Sequence, residues 1–103
     1  MTEALFAQVR RKLNITWEDK ETTDRLTDII QSAIPAMTHK LGIADPNFDF
    51  AKPGMENDLF KSYCLYEWNH CLNEFDGNYA NNIAQVRAKY EVEHYQSEVE
   101  SDG

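Results

Sequence analysis

Residues 26–42 read LTDIIQSAIPAMTHKLG and carry the clearest structural signal in the chain. Their apolar residues recur three and four positions apart, which is typical of one face of a helix; they are Leu26, Ile29, Ile30, Ala33, Ile34, Met37 and Leu41. Gly42 follows directly, as glycine commonly does after the end of a helix. Thr16 is a plausible N-cap upstream, so we predict a helix over residues 18–41. Pro35 removes one backbone hydrogen bond, but the apolar stripe continues beyond it, which predicts a kink within one helix.

Three further helices are predicted around this one. The first covers residues 3–13, and the third covers residues 56–75 with a wide apolar band that is typical of a central helix. The fourth covers residues 81–95. Proline, glycine, aspartate and asparagine are concentrated in residues 42–55, which predicts a long loop between the second and third helices. The expected fold class is therefore all-α, a small bundle of about four helices.

The chain is predicted to form one domain. Its 103 residues are 42% hydrophobic and 27% charged, which is typical of a single globular unit. We assign residues 1–96 to the helical domain. Residues 97–103 are polar and acidic, and we predict a flexible, disordered tail there.

The net charge of −8 is unevenly distributed. Residues 91–103 carry five carboxylates and no Lys or Arg, whereas the basic residues Arg10, Arg11 and Lys12 lie together near the start. Affinity for nucleic acid comes largely from the neutralisation of phosphates by basic residues. A chain as acidic as this one is therefore a poor candidate for binding DNA. Its charge suits a surface that DNA passes without specific binding.

Two features bear on the compartment. No apolar run is long enough to span a membrane, and the first residues lack the pattern of a signal peptide. Cys64 and Cys71 lie seven positions apart in a predicted helix, which separates their Cα atoms by about 10 Å. A disulfide needs Cα atoms within about 7 Å. We therefore expect free thiols and a cytoplasmic location in the cell that makes the protein.

No catalytic, metal-ligating or cofactor-binding residue is predicted. Cys64 and Cys71 share a helix face, but His70 points about 100° away from Cys71, so buried thiols and an ordinary histidine are favoured over a metal site. Paired carboxylates lie at a helix start and in the tail, where dipole complementation and solubility explain them. The four glycines are too far apart for a phosphate-binding loop. The sequence thus predicts a protein that is not an enzyme.

Aromatic residues are more informative. The chain has more aromatic side chains than four short helices easily bury. Those in question are Trp17, Phe48, Phe50, Tyr66, Trp68, Tyr79 and Tyr95. A large core and a protein interface explain them about equally well, since aromatic residues are enriched in interfaces. Phe48 and Phe50 lie in the predicted loop, and we expect them to be interface anchors.

The order of these patterns resembles the head–tail connector, or adaptor, proteins of long-tailed phages. The resemblance begins with Leu13-Asn14-Ile15-Thr16-Trp17, continues through the long apolar stripe closed by Leu41-Gly42, and includes Tyr63-Cys64-Leu65-Tyr66-Glu67-Trp68 in an aromatic-rich helix. A last helix and a polar tail complete it. It covers most of the chain.

The resemblance implies a structural virion assembly protein. Copies would form a ring, twelvefold like the portal protein, that extends the DNA channel and docks a stopper or tail-completion protein. Members of that family tend to use the C-terminal segment against the portal, which assigns Tyr90, Tyr95 and Val99 to this contact. The location implied is the virion neck, and the host cytoplasm during assembly, with no membrane and no cofactor.

Three other functions stay open on the sequence. A small soluble regulatory adaptor of phage or bacterial origin would bind one protein partner and be absent from virions. A DNA-binding regulator would need a basic recognition helix, and only the end of the first helix is basic. An enzyme ranks last, and a tightly bound metal in the purified protein would favour it.

Overall fold

The computed structural model describes the backbone of residues 1–102 and the side chains of residues 1–95. Its elements, in chain order, are α1 (Glu3–Lys12), α2 (Lys20–Leu41), α3 (Met55–Trp68), a 3-10 turn (Leu72–Glu74), α4 (Phe75–Asn78) and α5 (Ala80–Asp102). No strand occurs over the described backbone. The predicted all-α class is confirmed, and the arrangement is a small helical bundle.

Helix α2 begins one residue after its N-cap. The N-cap is Asp19 and not Thr16, because Asp19 Oδ1 accepts a hydrogen bond of 2.8 Å from the Thr22 amide. The predicted start at residue 18 is therefore wrong by two positions. Pro35 lies inside the helix on an exposed position, and α2 continues through it to Leu41 as predicted.

Three helices end in the same left-handed turn. The residues in this conformation are Asn14 (φ 58°), Gly42 (φ 71°) and His70 (φ 59°). In each case the next amide donates back to a carbonyl five residues earlier: Ile15 to Arg10 at 3.1 Å, Ile43 to Thr38 at 3.0 Å and Cys71 to Tyr66 at 2.9 Å. This is the Schellman pattern, and it satisfies the last helical carbonyls while reversing the chain.

The third of these turns corrects the predicted third helix. We expected it to run over residues 56–75, but α3 ends at Trp68 because His70 takes the left-handed conformation. Asp76-Gly77-Asn78, which lie just beyond the predicted end of that helix, are helical in α4. The chain therefore turns earlier, and a separate short helix carries Phe75 back into the core.

Apolar side chains from all five helices form the core. Helix α2 contacts α1, α3 and α5, and α3 contacts α1 and α5 as well, so α2 and α3 are central. The predicted stripe of α2 is buried except for the half-buried Ile34. Helix α5 adds Val86, which is almost fully buried.

Aromatic rings fill two regions of this core. Phe50 stacks on Phe60 with ring centroids 4.7 Å apart. Phe75 lies among the rings of Tyr63, Tyr66 and Tyr79, with centroids 4.9 to 5.7 Å from its own. The short helix α4 places Phe75 against the aromatic rings of α3. Many of the aromatic residues therefore belong to the core.

Residues 42–54 connect α2 to α3 without helix or strand. The segment is fixed to α1 and α3 by two amide side chains. Asn57, which is buried, donates to the Phe50 carbonyl and to Gln8 Oε1, both at 2.7 Å, and Gln8 Nε2 donates to the Ala51 carbonyl at 3.0 Å. These contacts hold Phe50 against the core.

Helix α5 extends beyond its predicted end near residue 95, to Asp102. We predicted a disordered acidic tail over residues 97–103, whereas the described backbone is helical as far as Asp102. The flexibility of this segment stays a prediction. Over residues 1–102, none of the helices combines the length and apolar character that a membrane span requires.

Candidate functional site

The structure separates the two aromatic residues of the connecting segment. Phe50 is 2% exposed and belongs to the core, so it leaves the candidate interface. Phe48 is half-buried and packs edge-on against both Phe50 and Tyr90, with centroids 5.0 and 6.5 Å away. The reason is that the loop is fixed by Asn57, which turns Phe50 inward. Phe48 instead joins the connecting segment to α5.

The predicted C-terminal contact residues have different environments. Tyr90 is half-buried, and its hydroxyl donates to Glu56 Oε2 at 2.7 Å. Tyr95 is 67% exposed. The side chain of Val99 lies outside the described part of the chain. Of the predicted contact residues whose side chains are described, Tyr90 is therefore bonded to the body and Tyr95 is largely exposed.

One polar bridge joins α5 to the end of α2. Arg87 Nη1 donates to the Lys40 carbonyl at 2.8 Å and to the His39 carbonyl at 3.4 Å. These carbonyls belong to the last turn of α2, where a cation is favoured by the helix dipole. Arg87 thereby caps α2 from a neighbouring helix.

A second polar bridge joins α5 to the start of α3. Glu56 lies in the first turn of α3, and its Oε2 accepts hydrogen bonds from Lys89 Nζ at 2.9 Å and from the Tyr90 hydroxyl. Lys89 Nζ also lies 4.6 Å from the centroid of the Tyr90 ring. The α3 N-cap, Gly54, has no side chain, so the Glu56 carboxylate supplies the negative charge that this helix start favours.

The surroundings of Glu56 shift two pKa values. Burial opposes ionisation of the carboxyl, but hydrogen bonds from Lys89 and Tyr90 outweigh burial and lower the pKa of Glu56 below its usual value. Burial, and then the hydrogen bond to Glu56, raise the pKa of Tyr90. The carboxylate is thus ionised and the phenol neutral in the folded protein near neutral pH, as their hydrogen bond requires.

An open cleft of about 520 Å³ lies over this bridge. Aromatic and charged side chains line it, among them Phe48, Lys52, Glu56, Lys89, Tyr90 and Glu93. Glu56 accepts hydrogen bonds from both Lys89 and Tyr90, so these three side chains fix α5 to the body. Among the described residues, no group of three or more His, Cys, Asp or Glu side chains could hold a metal ion.

Beyond Tyr90, α5 continues as an arm, which we define as residues 91–102. The described side chains of the arm, 91–95, are all exposed. They include two large apolar residues, Val92 at 55% exposure and Tyr95 at 67%. Over its described residues, the arm thus presents large apolar side chains to solvent.

An apolar stripe runs along the outer side of α5 into the arm. Its exposed members are Ala84, Ala88, Val92 and Tyr95. At 100° per residue this outer face lies about 160° from the face that carries Ile83, Val86 and Tyr90 into the body. In the sequence, Val99 continues the same spacing. Spacings of four and three residues define this outer face in the sequence.

A second surface, missed by the sequence analysis, lies at the turn between α1 and α2. We define the basic turn as residues 10–17. Trp17 is 50% exposed there, and its Nε1 donates to Thr22 Oγ1 at 3.0 Å. Arg10 donates to the Trp17 carbonyl at 2.9 Å and pairs with Glu18 at 3.2 Å, while Arg11 and Lys12 are exposed. In the sequence, this surface was indicated by a tryptophan in a polar segment that follows three consecutive basic residues, Arg10, Arg11 and Lys12.

The residues considered for catalysis have structural roles. Cys64 is buried on α3, and burial raises the pKa of its thiol to about 12, which keeps it protonated and unreactive. His70 Nε2 lies 3.3 Å from Arg25 Nη2, whose guanidinium stacks over the Trp68 ring at 4.1 Å. This cluster joins the first turns of α2 to the end of α3, a structural role.

Comparisons with protein-family models, curated proteins and solved structures find no match to this chain.

Proposed function

We propose that the chain is a structural assembly protein, a head–tail connector that forms a ring beneath the portal of a long-tailed phage. In this role it extends the DNA channel and docks a stopper or tail-completion protein. Two lines of reasoning support the proposal. The order of sequence patterns resembles that family, and the exposed arm is suited to docking.

The arm is the observation that carries the proposal. From residue 91 to residue 102 it spans roughly 18 Å. Helices in proteins draw most of their stability from packing of one face, and the described residues of the arm have no buried face. Its described part exposes Val92 and Tyr95 to solvent, at 55% and 67%. Such a helix gains stability by docking on a partner, as assembly proteins do.

The charge of the chain supports the same role. A net charge of −8 repels phosphate, so DNA would pass a ring of these copies without adhering to it. A channel component needs this property, whereas a DNA-binding regulator needs the opposite one.

A tail-joining assay tests the proposal. Phage heads are made in cells lacking this chain, and purified chain and tails are then added. We expect the wild-type chain to restore infectious particles and Val92→Ser/Tyr95→Ser to fail. The matched control is Met55→Ser, which removes an exposed apolar side chain from the start of α3. Tails that join equally well without the chain would contradict the proposal.

A further inference from the structure

The part of α5 that lies on the body buries few side chains. We call this part, residues 80–90, the strap. Val86 is buried there, Ile83 and Tyr90 are half-buried, and the other eight residues of the strap are exposed. Helix α2, by contrast, buries six residues and α3 buries five. Because few buried contacts mean a low free energy of local opening, the strap should open more easily than α2 or α3.

Two open clefts border the strap. The cleft of about 520 Å³ lies between the strap and the start of α3. A second cleft, of about 470 Å³, lies toward the end of α2 and is lined by Gly42, Ala44 and Tyr90. Tyr90 lines both of them. Solvent therefore reaches the contacts of the strap from two directions, so its opening does not require the disruption of a closed interior.

The chain just before the strap is held firmly on α3 and α4. Asn78 Nδ2 donates to the Tyr66 hydroxyl at 2.9 Å, and the ring of Tyr79 lies 4.9 Å from that of the buried Phe75. The next residues, 80–82, are all exposed. A change in backbone dihedral angles at 80–82 would therefore move the strap without displacing α4.

Glu56 joins the strap to the body at one charged atom. Its Oε2 accepts hydrogen bonds from both Lys89 and Tyr90, and its own helix, α3, belongs to the core. The other charged groups that line this cleft are Glu93 of α5 and Lys52 of the connecting segment. Loss of the Glu56 charge would weaken both hydrogen bonds at once. Since the pKa of Glu56 is lowered, this loss occurs in acid, as the pH falls through the folded-state pKa.

We propose that the strap is released from the body as one unit while α1 to α4 stay folded, and that the Glu56 carboxylate controls this release. The strap pivots at residues 80–82 and gives up its bonds to Glu56 and to the end of α2. Release exposes the face of Phe48 that packs on Tyr90. The opening is a property of the single chain, whereas its use, to orient the arm toward a partner, rests on the proposed connector function.

Hydrogen exchange of the full-length chain, followed by NMR near neutral pH, tests this proposal. The amides of Val86 and Ala88 report on the strap, and those of Ile30 and Phe60 report on the core. We expect the strap amides to be at least about tenfold less protected than the core amides. Low urea should change the strap amides little, because release exposes little surface, and should accelerate exchange of the core amides.

Two variants separate release of the strap from global unfolding. Glu56→Gln weakens a contact that both processes break, so it should lower the protection of strap and core amides by the same factor, about tenfold. Ile15→Val trims a buried side chain of the body, so it should lower the protection of the core amides by a few-fold and leave the strap amides unchanged.

The position of Ile15 makes this comparison clean. Ile15 precedes α2, whose 22 residues span roughly 33 Å to the end that Arg87 contacts. The substitution is therefore far from the strap. The control is Glu91→Gln, which removes an exposed carboxylate just beyond the strap and should change neither set of amides.

Other results would overturn the inference. Strap amides that exchange as slowly as core amides in the wild-type chain would show that α5 opens only with the whole fold. Strap protection that falls in Ile15→Val together with core protection would show the same. Strap protection that is unchanged in Glu56→Gln would show that the carboxylate does not control release. All of these measurements concern the isolated chain, so the tail-joining assay tests the connector function separately.

Discussion

At the scale of single residues, the left-handed helix ends carry unequal strain. Gly42 adopts its positive φ freely, whereas Asn14 and His70 have side chains that disfavour it. Asn14 is exposed, while His70 also contacts Arg25. Asn14 is therefore the cleaner position at which to test the cost of this conformation.

Asn14→Gly is expected to stabilise the fold by about 0.5 to 1 kcal/mol, because glycine removes the strain of the left-handed turn. Asn14→Ala is expected to destabilise it by about 1 kcal/mol for the opposite reason. Urea unfolding measures both as shifts of the midpoint at a constant slope. A midpoint that falls in Asn14→Gly would contradict the assigned turn.

Glu56 makes the attachment of α5 sensitive to acid. Its folded-state pKa lies below the usual carboxyl value of 4.5, so its stabilising effect is fully present above that usual value. The effect is lost as the pH falls through the lower, folded-state pKa. We expect Glu56→Gln to melt at a lower temperature than wild type at pH 7.

The difference in melting temperature between Glu56→Gln and wild type should shrink as the pH is lowered toward 3, because protonation removes the same charge from wild type. Glu91→Gln, which alters an exposed carboxylate of the arm, serves as the control and should change little at any pH. A difference for Glu56→Gln that is constant with pH would mean that the carboxylate does not hold α5.

At the scale of elements, the sequence predicted what depends on local spacing. The stripe of α2, its passage through Pro35 and its end at Gly42 were all visible as periodicity and as residue preference. The end of α3 was not, because His70 is an unusual residue for a left-handed cap and the apolar pattern continues past it. The burial of Phe50 was also hidden, since it depends on Asn57 and Gln8, which are distant in sequence from each other.

Ile30 tests the assignment of the central helix. It is fully buried on α2, and Ile30→Asp would place an unpaired charge in the core. We expect a loss of more than about 4 kcal/mol, enough to unfold so small a domain. The exposed neighbour provides the control, as Gln31→Asp should fold normally. A helical, soluble Ile30→Asp protein by circular dichroism would contradict the packing of α2.

Truncations of α5 separate its anchored part from its arm. Deleting residues 96–103 should leave the melting temperature nearly unchanged, since Val86, Arg87, Lys89 and Tyr90 all precede the deletion. Deleting residues 86–103 should lower it sharply, because Val86 and both polar bridges are lost. A drop of several degrees in the shorter truncation would show that the end of the arm packs on the body.

At the scale of the whole molecule, the bundle measures 56 × 28 × 19 Å, with acidic and basic residues concentrated in different parts. The segregation of charge was visible in the sequence. The positions of the charged segments in the fold were not visible in the sequence. Only the contacts of Arg25, Arg87 and Lys89 show that the basic turn and the arm lie at opposite ends of the bundle. The outer apolar face of α5 likewise depends on the fold, because the contacts of Val86 and Tyr90 determine which side of the helix faces the body.

Counting copies of this chain in purified phage particles tests the proposed function most directly. Quantitative mass spectrometry with labelled reference peptides would give its ratio to the portal protein in the same particles. The connector function predicts about a dozen copies per particle, in proportion to a portal of twelvefold symmetry. Absence of the chain from mature particles would contradict it and would favour a soluble adaptor that binds a single protein partner.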